Sequence, residues 1–159
     1  VGFVRNPWSW LVSYYSYHQT DALSRKGVLA DGHYQQRQNR FKGVPFRDFL
    51  GMVEEEELNS DSEGKGSQLK RPFQPQYNYL IDMDGKLAVD FVGRYENLAE
   101  DWRLLCGNLS LTQNRHRSME LQHHNTSNHS DYKTYYSDKE AEVVRRIYEK
   151  DILMFGYSF

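Results

Sequence analysis

Apolar and polar positions alternate in blocks along the chain, and the blocks predict an order of elements. Val1 to Val4 is a short apolar run that stops at Arg5. Asn6 then Pro7 follow, an N-cap residue before proline at the first helical position, so the run reads as a buried strand feeding a helix from Pro7 to about His18. Thr20 to Val44 is polar without clear periodicity and reads as loop, with a short helix near Tyr34 to Asn39. Pro45 to Leu50, with Met52 and Val53, has helical spacing and ends in the acidic run Glu54 to Glu57. Asn59 to Gln68 has the composition of a flexible loop. Gln76 to Asp82 and Leu87 to Val92 read as two strands of a hairpin about the Asp84-Gly85 turn. Glu96 to Leu105 reads as a helix with Leu98, Trp102 and Leu105 on one side, ending near Gly107. Ser137-Asp138-Lys139-Glu140 has the form of a capping box, and Val143, Val144, Ile147 and Tyr148 continue it as a last helix ending before Gly156.

With 159 residues the pattern fits a single domain spanning 1–159. The formal charge of -2 gives no global basic field, which argues against a nucleic-acid polymer as partner and makes any anion site local. Cys106 is the lone cysteine, so no intrachain disulfide can form, and a reducing compartment fits. No apolar run reaches the length of a membrane span, and no secretory signal opens the chain. The twelve tyrosines among an aromatic fraction of 14% fit ordinary core packing as well as they fit stacking surfaces. The chain starts in mid-strand without an initiator Met, and the expectation is a piece of a longer protein.

The chemistry gathers at the first turn. A strand ending at Val4 and a helix starting at Pro7 put Arg5 at the carboxyl edge of a sheet, where open α/β folds bind ligands. Free helix N–H groups and the positive dipole end favour an anion there, and a guanidinium adds a bidentate clamp. Ser13 lies six residues past Pro7, about 9 Å along the axis at ~1.5 Å per residue. An anion touching both Arg5 and Ser13 therefore lies alongside the first turns and not at their tip. Spacing alone fits equally a solvated turn arginine and a small serine that permits close helix packing.

The stretch V-G-F-V-R-N-P-W-S-W-L-V-S resembles the 3'-phosphate-binding motif of sulfotransferases that use PAPS, 3'-phosphoadenosine 5'-phosphosulfate. There an Arg, then Asp or Asn, then Pro, is followed by Ser eight positions after the Arg. Three further blocks are similar to the carbohydrate sulfotransferase type, sulfotransferase family 2, and to its soluble bacterial members: Asp84 to Trp102, His124 to Ser137, and D-I-L-M-F-G-Y-S-F at the end. The resemblance implies an α/β, P-loop-like sulfotransferase fold, a central mostly parallel sheet flanked by helices, here as a C-terminal portion lacking the first strand-loop-helix. It implies that Arg5 and Ser13 hold the 3'-phosphate. Tyr95 falls where related enzymes contact adenine with a Tyr, and a core tyrosine at a strand end fits that position equally. Asn125, Thr126 and Ser127 match a phosphate-wrapping loop, although the basic pair of that loop is absent, and Tyr132 follows in Ser130 to Lys133. Arg94 reads as an anion contact or as a structural partner of Glu96 or Asp90, and the structural role is preferred.

The family's 5'-phosphosulfate loop, with a Lys and a Ser or Thr near a Gly, has no counterpart here. Gly64-Lys65-Gly66-Ser67 follows an acidic stretch with no preceding apolar strand and is rejected. The loop and the general base are expected upstream of Val1, which leaves the catalytic residues unassigned. His18 reads as a helix-face residue, and Glu54 to Glu57 as a solvated helix end. His123, His124 and His129 lack a fitting carboxylate or Cys pattern and read as an exposed loop, so no metal is expected. The implied activity is sulfuryl transfer from PAPS to a hydroxyl acceptor, by family default a glycan, releasing 3',5'-bisphosphoadenosine. The implied location is cytoplasmic, or the Golgi lumen for a membrane-anchored eukaryotic enzyme. The rival reading is a non-catalytic nucleotide-binding or interaction module derived from such an enzyme.

Overall fold

A computed structural model describes residues 1–19, 40–58, 73–109 and 129–159. The expected helix near Tyr34 to Asn39, the loop 59–68, and Asn125, Thr126 and Ser127 lie outside the described residues. The architecture is mixed α/β. Strand β1 (Gly2–Val4) leads to helix α1 (Pro7–Gln19), and α2 (Phe46–Leu58) follows. Strand β2 (Val92–Arg94) leads through a 3-10 turn, Tyr95–Asn97, to α3 (Leu98–Asn108). Two helices, α4 (Asp138–Ile147) and α5 (Glu149–Phe155), close the order.

β1 and β2 pair in parallel, with Gly2 opposite Val92, Phe3 opposite Gly93 and Val4 opposite Arg94. Both strands therefore end at the same edge, and both hand over to a helix there. Glycine at position 93 is required by a close approach: a Cβ there would fall 2.3 Å from the Phe3 ring.

α1 packs its buried Trp8, Leu11 and Val12 inward. Trp8 and Leu11 share a core with Phe41, Phe49, Leu50, Val53, Phe73, Ala141, Val144 and Tyr148. The polar atoms of these aromatics are satisfied: Trp8 Nε1 donates to the Ala141 carbonyl at 2.9 Å and Tyr148 Oη to the Phe73 carbonyl at 2.8 Å. Burying an indole or phenol without such an acceptor would cost about 1–3 kcal/mol. Gln74 is the exception. It is 4% exposed, and neither of its amide atoms has a partner among the described residues.

Most predicted elements recur with shifted ends, but the hairpin does not. Gln76–Tyr79 forms a 3-10 turn instead of a strand. The reason is tertiary: the buried carboxylate of Asp151 accepts the Gln76 and Tyr77 N–H groups at 2.7 and 2.8 Å, a helix-start arrangement. What remains of the hairpin is the antiparallel bridge of Ile81 with Leu87 around Gly85, whose φ of 78° suits the tight turn. The strand of that region lies later, at Val92–Arg94, and pairs with β1. The last helix is interrupted at Tyr148, whose backbone (φ -106°, ψ 26°) leaves the helical region. Its second half stops at Gly156 in the left-handed region (φ 63°). The capping box is present: Ser137 Oγ accepts from Glu140 N–H, and Ser137 N–H donates to Glu140 Oε2 at 2.7 Å.

Candidate functional site

The parallel register sets the site. Because Val4 is opposite Arg94, the next residues of the two strands, Arg5 and Tyr95, emerge side by side at the shared edge. The Arg5 guanidinium lies over the Tyr95 ring with Cζ 4.3 Å from its centroid, a cation–π contact. Its Nε and Nη2 donate to Ser9 Oγ at 3.2 and 2.9 Å. The Nη1 donors have no acceptor among the described residues, and no carboxylate there forms an ion pair with Arg5. Partial burial pushes the Arg5 pKa down, opposed by the nearby Tyr95 and Glu96. A guanidinium stays charged against such a shift, so its field faces the edge without a neutralising partner.

Glu96 is engaged elsewhere. Its Oε1 accepts the Asn6 N–H at 2.7 Å and its Oε2 accepts the Tyr157 hydroxyl at 3.3 Å. Asn6 closes the tip of α1: its Oδ1 accepts Trp8 N–H at 3.0 Å and Ser9 N–H at 3.2 Å, and its Nδ2 donates to the Ser158 carbonyl at 3.0 Å. The expectation of free N–H groups at the helix tip is thereby corrected, since the Asn6 side chain occupies them. An anion has to lie beside the helix. There Ser9 and Ser13 follow Arg5 in steps of four residues, which places the two serines on one helix face.

Of the expected residues, the structure joins Arg5 and Tyr95 directly and carries the half-buried Ser13 on the helix that Arg5 leads into. Tyr132 stands on a 3-10 turn, Tyr132–Tyr135, its ring 6.1 Å edge-on from that of Phe159. Burial, with Asp131 and Glu96 nearby, raises its phenol pKa, and the Asn6 side chain partly offsets this. The expected partnership of Arg94 with Glu96 or Asp90 is not seen among the described residues; its guanidinium lies over Tyr157, 5.4 Å from the ring centroid. His18 is buried, stacked on Tyr14 at 4.2 Å, with Nδ1 donating to the Tyr14 carbonyl at 2.8 Å. Glu54 and Glu56 pair with Arg146 and Arg40. Among the described residues no three metal-ligating side chains converge, and no helix is long and apolar enough to cross a membrane.

Ser9, Gln76 and Asp151 were not singled out by the sequence, and Glu96 was read as a partner of Arg94 and not of Asn6. Only Ser9 carried a readable signal, four residues from both Arg5 and Ser13. The other three act across 71 to 90 residues.

The chain is thus a mixed α/β domain with a partly buried arginine at the carboxyl edge of its parallel strands, beside a helix carrying hydroxyls. The model of the sulfotransferase family matches residues 1–158. The chain therefore belongs to the sulfotransferase family. No curated protein and no solved structure matches it significantly.

Proposed function

We propose that the chain is a PAPS-dependent sulfotransferase acting on a hydroxyl acceptor, with Arg5, Ser9 and Ser13 holding the cofactor's 3'-phosphate and Tyr95 facing its adenine. The observation that carries this is the Arg5 guanidinium, partly buried yet without a carboxylate partner among the described residues, with Nη1 donors free for an anion. Desolvating a cation costs free energy, which a bound phosphate returns through charge-assisted, bidentate bonds.

Bound PAPS would supply the activated sulfuryl group. The residues on this side orient the nucleotide and bind the bisphosphate product, so they contribute position and electrostatics to the transfer. Tyr132, and Asn125, Thr126 and Ser127 of the phosphate loop, are assigned to the cofactor site by resemblance. A glycan hydroxyl is the acceptor the family resemblance favours.

Calorimetric titration with 3',5'-bisphosphoadenosine tests the reading. Charge-assisted bonds contribute about 1.5–3 kcal/mol each, so Arg5→Ala should weaken binding roughly 10- to 100-fold. Equal affinity of the parent and a folded Arg5→Ala variant would remove the phosphate assignment.

A further inference from the structure

Arg5 is fixed at its backbone more firmly than at its side chain. Gln76 Oε1 accepts the Arg5 N–H at 2.8 Å and Gln76 Nε2 donates to the Arg5 carbonyl at 2.7 Å. One amide side chain thus makes both bonds that a neighbouring strand residue makes in a ladder. Gln76 is itself held. Asp151, 0% exposed, accepts the N–H groups of Gln76 and Tyr77, fixing the 3-10 turn from which Gln76 projects.

A carboxylate buried this way is costly unless paired, and among the described residues no cation pairs with Asp151. Burial raises its pKa, and only the N–H donors of Tyr77 and Gln76 and the Gln76 side chain oppose that. The chain from α5 through Asp151 and Gln76 ends on the peptide groups flanking the Arg5 Cα. The guanidinium beyond that point is steadied by one hydroxyl, Ser9, and one ring, Tyr95. Its direction therefore follows its backbone.

We infer that Gln76 is a positioning residue for Arg5, locked in place by Asp151, and that together they set the preference for a 3'-phosphate. This rests on the assignment of Arg5 as the phosphate contact. Neither residue needs to touch the nucleotide.

The test compares the affinities of the full chain for 3',5'-bisphosphoadenosine and for adenosine 5'-monophosphate, which lacks only the 3'-phosphate. The ratio isolates that group. Gln76→Leu should lower the ratio about tenfold while leaving 5'-monophosphate affinity unchanged, and Asp151→Asn should lower it less. Ser137→Ala, which removes a cap remote from Arg5 in sequence, should lower thermal stability and leave the ratio intact. A folded Gln76→Leu that keeps the parent ratio, while Arg5→Ala loses it, overturns the inference alone. A parent with no preference for the bisphosphate overturns the Arg5 assignment and the inference with it. Should Gln76→Leu fail to fold, Asp151→Asn decides, and an unchanged ratio there counts against the proposal.

Discussion

Two strand-to-helix turns leave the same sheet edge and are built differently. At the first, local bonds from Arg5 to Ser9 and from Trp8 and Ser9 to Asn6 are joined by bonds from far along the chain, at Gln76, Glu96 and Ser158. At the second, Arg94 N–H donates to Asp101 Oδ2 at 2.5 Å, within its own turn and helix, and Asn97 makes no side-chain cap. Tyr95 there is 51% exposed, whereas Asn6 is 8% exposed. The first turn is a fixed platform that aims a charge. The second holds its Arg94 main chain within its own helix and leaves the Tyr95 ring half-exposed, while Glu96 reaches out to Asn6 and Tyr157. The main chain is tied across the fold at the arginine and locally before the aromatic ring.

The sharpest way to break this contrast is to cut equivalent residues. Asn6→Ala removes a cap and leaves buried N–H groups and the Ser158 carbonyl unpaired, so a loss of about 2–3 kcal/mol in urea unfolding is expected. Asn97→Ala should cost no more than ~0.5 kcal/mol, as a surface change away from any cap bond. Equal losses would mean that the two turns are equally held. Next in size is the aromatic face. Tyr95→Ala should weaken 3',5'-bisphosphoadenosine binding roughly 2- to 30-fold, the range of a cation–π contact, with little change in melting temperature. Tyr95→Phe should stay near the parent in both.

Gln74, two residues from the fully paired Gln76, offers a control for what pairing contributes. Its buried amide has no partner among the described residues, so Gln74→Met should raise stability by about 1 kcal/mol, whereas Gln76→Met should lower it. The smallest expected effect is in pH. Asp151 has a folded pKa raised above its ordinary 3.8, so the native state takes up its proton first, and this group adds stability as pH falls through the folded value. Glu140 is the reverse. Its bonds to Ser137 hold its pKa low, so its contribution is present above the unfolded value near 4.5 and is lost as pH falls through the folded one. Melting curves between pH 3 and 7 should show the gap between parent and Asp151→Asn widening on acidification, and the gap between parent and Glu140→Gln narrowing.

The local half of this molecule was legible in its sequence. Asn6-Pro7 marks the start of α1 and Ser137 to Glu140 the start of α4, because capping is a matter of a few neighbouring residues. Arg5 and Ser13 stood out by spacing and resemblance. Gln76 to Asp82 misled, because its strand-like composition gave no sign of a carboxylate arriving from 75 residues away. Glu96 read as a partner for its neighbour Arg94, yet it holds the backbone of Asn6. Such pairings are written in the tertiary structure, and no local pattern encodes them.

The tight fit of Phe3 against Gly93 guards more than packing. Shifted by one residue, the strands would no longer bring Arg5 and Tyr95 out side by side, because every side chain of the moved strand would turn to the other face. A side chain at position 93 collides with the Phe3 ring, so any relief by sliding the strands would part the arginine from the ring it lies over. Two strands of three residues each thus act as a vernier, and the setting they hold is the meeting of one charge with one ring.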